Sequence, residues 1–372
     1  WAFVHLTLVP FINASGELKT KPTQHSVKEL RSLGISPDVL ICRSEQELPL
    51  DEKNKIALFC SVPNNSVISM HDVDTVYSIP VLLNKQKVDK TILNKLKIKT
   101  TNPKLNDWKR VIKAKLMPER EVNVSFVGKY TELKDSYKSI NEALEHAGIK
   151  NKAQVNINFV EAENITSKNI RKRLKNADAV LVPGGFGERG IEGMILACKY
   201  ARENDIPYLG ICLGMQVAII EYARNVLKLK GANSTEFNQD TKYPVIGLIT
   251  EWSDISGKKE KRSKNSDLGG TMRLGGQLCV LKKKSNSYKM YKRKEIIERH
   301  RHRYEVNPNY KSEMINNGLD VVGTSIDGNL VEMIEIPNHK WFLACQFHPE
   351  FTSNPRDGHP IFNSYIKSTM YK

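Results

Sequence analysis

The chain has 372 residues, of which 40% are hydrophobic and 26% are charged. This composition is typical of globular proteins and excludes a disordered chain, and the length allows two domains of ordinary size. No apolar run is long enough to cross a bilayer, so the sequence predicts neither a membrane-spanning helix nor a membrane partner.

The formal net charge is +16. Dense lysine and arginine would suit a nucleic-acid-binding protein, because phosphate contacts need such clusters. The basic runs at 258–264, 282–284 and 292–303 are interspersed with acids, Asn and Ser, as in solvated loops. We therefore expect nucleotide phosphates rather than nucleic acid as the anionic partners. A basic nucleic-acid-binding protein is the alternative from another class.

Six cysteines are spread along the chain without any Cys-x-x-Cys pair. This spacing indicates neither a zinc site nor a disulfide framework, and it favours a reducing compartment. We expect a cytoplasmic protein with no metal site in this chain.

Residues 1–97 are predicted to form a first unit. Its opening segment, 1–10, reads as a buried strand because it lacks the basic start and the small-residue cleavage site of a signal peptide. The chain begins at Trp1 in what reads as the middle of an element. We therefore expect an N-terminally truncated fragment.

The polar segment 16–26 (GELKTKPTQHS) precedes a helical pattern formed by Val27, Leu30 and Leu33. Its lysines and hydroxyl groups could cradle a phosphate at the helix start, or it could be an ordinary polar loop with a Ser or Thr cap. Strands at 38–42 and 67–70, alternating with helices, predict a mostly parallel sheet. No Gly-x-x-x-x-Gly-Lys-Ser/Thr loop occurs, so an ATP site of that type is not expected here.

Residues 98–120 are polar and basic, and we predict a linker that carries one helix. A second domain, 121–372, then opens with a strand at 122–128 and an amphipathic helix at 135–147. Further strands are predicted at 155–160 and 179–182. The second of these leads into the loop 183–187 (PGGFG), where backbone N–H groups can approach a ligand.

The segment 207–216 (PYLGICLGMQ) is a short apolar run that ends in a cysteine between two glycines and leads into a helical pattern. Gly-x-Cys-x-Gly is the thiol counterpart of the Gly-x-Ser-x-Gly nucleophile elbow, a strained turn between a strand and a helix. It would place the Cys212 sulfur at a helix N-terminus, which favours the thiolate. A buried, inert cysteine is the alternative.

A cysteine elbow needs a base and a group that orients the base. His348 and Glu350 follow the apolar strand 342–347, with Pro349 stiffening the backbone between them. Residues i and i+2 on an extended chain point the same way, so Glu350 can hold the imidazole against the thiol. N–H groups of Gly185 and Leu213 could donate to an oxyanion. These parts fit hydrolysis of an amide through an acyl-enzyme.

Three of these motifs resemble the triad (class I) glutamine amidotransferases: 183–187, 210–216 (GICLGMQ) and 348–350 (HPE). Four segments resemble the CTP synthase family: 16–26, 231–237 (GANSTEF), 267–275 (DLGGTMRLG) and 299–305 (RHRHRYE). The resemblance covers essentially the whole chain. It implies an α/β fold in which the C-terminal part of a parallel-sheet, P-loop-like synthase domain (1–97) precedes a class I glutamine amidotransferase α/β domain.

The resemblance also implies roles for single residues. Cys212 would attack the side-chain amide of glutamine, with His348 as base and then acid, and Glu350 orienting it. The implied glutamine-binding residues are Gly185, Leu213, Gly214, Met215, Gln216, Glu236 and Arg303. The implied UTP site, which the feedback inhibitor CTP also uses, comprises Lys19, Thr20, Lys21, Pro22, Thr23, Gln24 and Lys55. Val73 is similar to a residue near the adenine of ATP, and Arg189 and Arg273 are similar to a lid associated with activation by GTP.

The implied reaction is amination of UTP to CTP, in which ATP activates the 4-oxygen and ammonia from glutamine travels inside the protein. The resemblance further implies Mg²⁺, GTP as allosteric activator and a homotetramer. In this family the ATP phosphate loop and the magnesium carboxylates lie upstream of the residue that is Trp1 here. We therefore expect this chain to keep only the glutaminase half intact. A free-standing glutaminase or another amidotransferase is the alternative enzyme.

Overall fold

The computed structural model describes residues 1–129, 134–248 and 272–370, together with the backbone of 251–253 and 259–261. Most of the basic run 258–264 and residues 267–271 of the predicted lid motif lie outside these ranges. The chain divides into two compact units, Trp1–Met117 and Pro118–Lys372. None of the helices within the described ranges is long and apolar enough to cross a membrane.

The first unit is a small α/β structure. Its strands are β1 Val4–Leu8, β2 Phe11–Ile12, β3 Glu17–Leu18, β4 Val39–Arg43 and β5 Val67–Met70. Its helices are α1 Lys21–Ser32, α2 Leu50–Cys60, α3 Ile79–Lys85, α4 Val88–Leu96 and α5 Asn106–Leu116. Strands β1, β4 and β5 form a parallel sheet in that order, and β2 pairs with β3 as a hairpin.

The first unit extends beyond residue 97. Helix α5 is the helix that the sequence predicts within 98–120, but it packs into this unit rather than spanning a free linker. The Trp108 ring stacks on Tyr77 with centroids 6.4 Å apart, and Val111 is buried. Burial of these apolar side chains explains why the boundary falls after Met117.

The second unit contains the remaining elements. Its strands are β6 Arg120–Gly128, β7 Ala153–Glu161, β8 Ala179–Val182, β9 Tyr208–Ile211, β10 Asn233–Ser234, β11 Pro244–Leu248, β12 Glu251–Ser253, β13 Lys259–Lys261, β14 Arg273–Leu281, β15 Glu295–His302, β16 Tyr304–Val306, β17 Asp320–Thr324, β18 Val331–Glu335 and β19 Phe342–Cys345. Its helices are α6 Lys138–Asn151, α7 Ile170–Arg173, α8 Ile191–Glu203, α9 Leu213–Asn225, α10 Asn286–Tyr291, α11 Lys311–Asn316 and α12 Pro360–Ser368.

A nine-stranded sheet organises this unit, in the order β15-β14-β17-β18-β19-β9-β8-β6-β7. Strands β19, β9, β8, β6 and β7 run parallel, and the other neighbours are antiparallel. Two apolar cores, one including α8 and α9 and the other α6 and α12, pack around the sheet. The central strands β8, β9 and β19 are buried throughout, as parallel strands covered on both faces are.

The register of β9 and β19 determines where the site forms. Ile211 pairs with Cys345 across the two parallel strands. Because both strands end together, Cys212 and His348 leave the sheet at the same edge, although they are far apart in sequence. Ligand sites of parallel α/β sheets lie at this carboxyl edge.

Candidate active site

Cys212 is a strained residue between β9 and α9. Its backbone has φ 52° and ψ −101°, and it is the N-cap of the 13-residue helix α9. A non-glycine residue at positive φ is uncommon and is maintained only where its surroundings impose it. The thiol is buried, with 3% of the residue exposed, and it lies where helix N–H groups favour negative charge. This is the elbow geometry that the sequence predicts.

The two glycines of the motif have a packing reason. A Cβ atom on Gly214 would lie 2.1 Å from the carbonyl oxygen of Val182, and one on Gly210 would lie 2.6 Å from the carbonyl oxygen of Gly214. The start of α9 therefore touches the backbone of β8 directly. Any larger residue would push the helix, and the sulfur with it, away from the sheet edge.

His348 and Glu350 lie beside the sulfur. Nδ1 of His348 is 2.8 Å from Oε1 of Glu350, and Cys212 interacts electrostatically with the same ring. Both His348 and Cys212 pack against Gly184, since a Cβ on that glycine would lie 2.8 Å from Cε1 of His348 and 3.4 Å from Cβ of Cys212. The structure thus brings together the three residues predicted to be catalytic.

The surroundings of the His348 imidazole favour its protonated form. Burial alone would lower the pKa of His348, but interactions with Cys212 and Glu350 outweigh burial and raise that pKa to about 10. The ring therefore holds its second proton at neutral pH. A protonated ring facing the sulfur stabilises a thiolate, which is the nucleophilic form of cysteine.

Backbone hydrogen bonds hold Cys212 and His348 in place. The N–H of Cys212 donates to the carbonyl of Cys345 at 2.7 Å, and the N–H of His348 donates to the carbonyl of Arg299 on β15 at 2.8 Å. Both residues are thus fixed by neighbouring strands rather than by loops. Such rigid support keeps side chains at constant distances and angles to each other.

A cavity of about 270 Å³ opens onto the triad. The cavity is lined by Gly184, Gly185, Cys212, His348 and Glu350, and by four larger side chains that the sequence did not assign to the site, Tyr137, Phe186, Arg301 and Phe351. Its size suits a small substrate with a few polar groups.

The predicted glutamine-binding residues form two groups. The first group lies around the elbow and comprises Gly185, Leu213, Gly214, Met215 and Gln216. At the start of a helix, the first N–H groups have no hydrogen-bond partner within the helix. The N–H groups of Met215 and Gln216, in contrast, already donate to the carbonyl of Cys212, at 3.0 and 3.3 Å. Leu213 and Gly214 therefore remain the better candidates for backbone donors.

Glu236 and Arg303 both lie near Tyr304. Burial raises the pKa of Tyr304, Glu236 raises it further and Arg303 lowers it. Glu236 accepts a hydrogen bond of 2.8 Å from the N–H of Gly187. Nε of Arg303 is buried without a hydrogen-bond partner among the described residues. Neither side chain lines the 270 Å³ cavity. Glu236 binds the loop 183–187 instead.

Lys129 is a functional candidate that the sequence did not single out. Its ammonium donates to the carbonyl of Phe186 at 2.9 Å and to that of Gly187. Burial lowers the pKa of Lys129. A lysine directly after a buried strand was the available signal. Its effect here is to hold the loop that carries the predicted oxyanion donor.

Arg273, which the resemblance assigns to the lid, is buried in the fold. Its guanidinium is buried, 2.6 Å from Glu332 and 3.1 Å from Glu305. Burial raises the pKa of Glu332, and the neighbouring Arg273 opposes this shift. Arg189, in contrast, is exposed and pairs with Glu163 at 2.7 Å.

The arginine- and histidine-rich run is part of the fold. Along β15 exposed and buried residues alternate, so Arg299 and Arg301 face outward while His300 and His302 are buried. Burial lowers the pKa of both histidines. This period-two pattern is that of a sheet strand, which accounts for the run without a nucleic-acid partner.

The first unit contains a cavity of about 910 Å³ at the start of α1. Five of the predicted pyrimidine-nucleotide residues line it: Lys19, Thr20, Lys21, Gln24 and Lys55. Two others do not. Pro22 lies within the first turn of α1, and the buried Thr23 hydroxyl donates to Thr7 and Leu8 at 3.0 and 3.1 Å. Val73 lies in the segment after β5 and is not part of this lining.

Comparison with known proteins agrees with both units. Residues 132–368 match the family Glutamine amidotransferase class-I, and residues 1–98 match the CTP synthase N-terminus. By its fold and its site, the second unit is therefore a class I glutamine amidotransferase domain.

The chain is similar to the glutaminase domain of Trypanosoma brucei CTPS with bound acivicin, with 38% sequence identity and a TM-score of 0.61. That match covers 68% of this chain and 94% of the Trypanosoma chain. A glutamine amido transferase from Methylobacillus flagellatus aligns over 62% of this chain and 70% of its own, with 8% identity and a TM-score of 0.35, which is too low to support an inference. The chain belongs to the CTP synthase family, and the fold class predicted from sequence is confirmed.

Proposed function

We propose that the second unit hydrolyses glutamine through a thioester at Cys212. The observation that carries this proposal is the geometry around His348, whose Nδ1 lies 2.8 Å from the Glu350 carboxylate and whose ring packs with Cys212 against Gly184. A strained cysteine with an oriented, protonated imidazole is the arrangement that amide hydrolysis requires.

The chemistry follows from these positions. The thiolate attacks the side-chain carbonyl carbon of glutamine, and a C–S bond forms. N–H groups of Gly185 and Leu213 stabilise the resulting oxyanion. His348 gives its proton to the leaving nitrogen, the C–N bond breaks and ammonia departs. His348 then takes a proton from water, which attacks the thioester, and glutamate and the thiolate are released.

Substrate orientation is assigned to the charged pair beside Tyr304. Glu236 would receive the α-ammonium of glutamine and Arg303 its carboxylate, since Arg303 has a buried Nε without a hydrogen-bond partner among the described residues. Because Glu236 also accepts the N–H of Gly187, it would join the bound ammonium group to the loop 183–187.

Labelling with acivicin, which the Trypanosoma domain binds, tests the proposal. Peptide mass spectrometry should find the adduct on Cys212 and glutamine should protect it. Cys212→Ser should abolish labelling, whereas Cys198→Ser, a buried cysteine in α8, should preserve it. An adduct on another residue, or none, would reject the assignment.

For the first unit we propose pyrimidine nucleotide binding in the 910 Å³ cavity, with UTP as the substrate to be aminated to CTP, and CTP as inhibitor. Support comes from the lysines Lys19, Lys21 and Lys55 that line it, since ammonium groups at a helix start attract phosphate. A free-standing glutaminase would show no UTP or CTP binding by calorimetry, which separates it from this proposal.

The remaining family properties also stand as proposals: ATP as phosphate donor near Val73, GTP activation involving Arg189 and Arg273, a homotetramer and a cytoplasmic location. Mg²⁺ is part of the implied reaction. Among the described residues no group of three or more His, Cys, Asp and Glu side chains could hold a metal ion. The ion is therefore assigned no ligand here, and no step above depends on it.

A further inference from the structure

Gln346 lies between β19 and His348, and its side chain faces the sulfur of Cys212. The residue is completely buried. Its Nε2 is 3.7 Å from Sγ of Cys212, within hydrogen-bonding distance of a sulfur acceptor. The N–H of Gln346 donates to the carbonyl of Glu332 at 2.9 Å, so the backbone that carries this side chain is held by β18.

The neighbours of Gln346 determine which end of its amide faces the sulfur. The carbonyl of Tyr304 can only accept a hydrogen bond, and Nε2 of Gln216 donates to it at 3.1 Å. The same Nε2 lies 3.5 Å from Oε1 of Gln346. Gln346 therefore presents its oxygen to Gln216 and its NH₂ group to the sulfur.

We propose that Gln346 is a further catalytic residue, whose side-chain N–H stabilises the negatively charged sulfur of Cys212. This inference rests on the proposed role of Cys212 as nucleophile. A hydrogen bond to a charged acceptor is stronger than one to a neutral acceptor, particularly in a site without water. The amide therefore favours the thiolate over the thiol.

Gln346 complements His348 because an amide does not ionise. During hydrolysis His348 gives its proton to the departing ammonia and later takes one from water, so the charge that it offers the sulfur changes. The Gln346 N–H is present at every stage, including the release of the thiolate from the thioester. It supplies a constant donor beside a base whose charge changes.

The rate of alkylation of Cys212 by iodoacetamide measures its thiolate content without involving glutamine. We would follow this rate across a pH series by quantitative peptide mass spectrometry, using the full chain. Gln346→Met keeps the volume of the side chain and removes the donor. We expect alkylation at neutral pH to be about tenfold slower and the midpoint of its pH dependence to rise by about one pH unit.

Gln277→Met is the matched control, because Gln277 is also a largely buried glutamine but lies on β14 and contacts Leu274. It should alkylate as the wild type does. A wild-type rate and midpoint for Gln346→Met would overturn the inference, since a residue that merely fills space leaves the thiolate unaffected.

If Gln346→Met does not fold, Gln216→Met provides a second variant. It removes the contact that orients the Gln346 amide, so the midpoint should shift upward by a smaller amount, and an unchanged midpoint would contradict the inference. Failure of the proposed function can be distinguished from failure of this inference. A wild-type chain whose Cys212 alkylates readily but which does not hydrolyse glutamine rejects the glutaminase and leaves the role of Gln346 to be decided by the alkylation data.

Discussion

The buried carboxylate of Glu298 accepts a hydrogen bond of 3.1 Å from the hydroxyl of Thr352. It also accepts hydrogen bonds from Tyr291 at 2.8 Å and from His359 at 2.9 Å. Thr352 belongs to the 3₁₀ turn Pro349–Thr352, which carries Glu350. Glu298 therefore ties β15 to the turn on which Glu350, the predicted orienting carboxylate, lies.

Glu298→Gln should weaken this connection. An amide can accept only at its oxygen, so at least one of the three donors loses its partner, at a cost of about 1–3 kcal/mol. We expect a lower free energy of unfolding by denaturant titration and a reduced kcat for glutamine hydrolysis. Glu295→Gln, an exposed position on the same strand, should change neither. Equal effects of the two variants would contradict the anchoring role.

Glu350→Gln should separate orientation from folding. The amide cannot hold the His348 ring as the carboxylate does, and we expect kcat to fall by about 10²–10⁴-fold. The circular dichroism spectrum and the thermal midpoint should remain close to those of the wild type. Unchanged turnover would count against the triad.

The pH dependence of stability should contain a contribution from His348. Its pKa is raised from 6.5 to about 10 in the folded chain. A raised pKa stabilises the fold fully below the unfolded value, and this stabilisation is lost as pH rises through the folded value. The free energy of unfolding should therefore decrease between about pH 6.5 and pH 10, and His348→Gln should flatten this decrease. Substitution of the exposed His25 should not.

Gly214→Ala should move α9 away from the sheet. The added methyl group would lie 2.1 Å from the carbonyl oxygen of Val182, and overpacking against backbone costs about 1–3 kcal/mol or more. We expect a lower thermal midpoint and loss of acivicin labelling at Cys212. Gly247→Ala is the control, because a Cβ there meets no atom within 4 Å. A stable and reactive Gly214→Ala protein would show that the close approach is not required.

Lys21→Ala should weaken nucleotide binding in the first unit. Lys21 lines the 910 Å³ cavity at the start of α1, and removing one phosphate contact should raise the Kd for UTP or CTP about tenfold. Lys28 is exposed on the same helix and outside the cavity lining, so Lys28→Ala should have no effect beyond general charge. Isothermal titration calorimetry at two salt concentrations would measure both.

Much of the site could be predicted because its signals are local. The Gly-x-Cys-x-Gly segment, the loop 183–187 and the pair His348 and Glu350 each follow a buried strand, and buried strands are readable as short apolar runs. The helix in 98–120 was also predicted. Its membership of the first unit was not, because that depends on the contact of Trp108 with Tyr77.

The burial of charged side chains, in contrast, could not be predicted from the sequence. Arg273, His300 and His302 belong to segments that read as polar and basic, and hydropathy predicts exposure for such residues. Their burial depends on Glu305 and Glu332, which come from other strands. A partner brought by the fold, and not the residue type, decides whether a charged side chain can leave water.

The sequence by itself determined the order of the elements and the family, and it predicted the nucleophile and its partners, because local periodicity and contiguous motifs specify them. Only the tertiary structure decided that β9 and β19 end side by side, that the amide of Gln346 turns its NH₂ group toward the sulfur, and that Arg273 is buried. Each of these depends on atoms that are distant along the chain, and their distances are determined by strand register and packing rather than by neighbours in sequence.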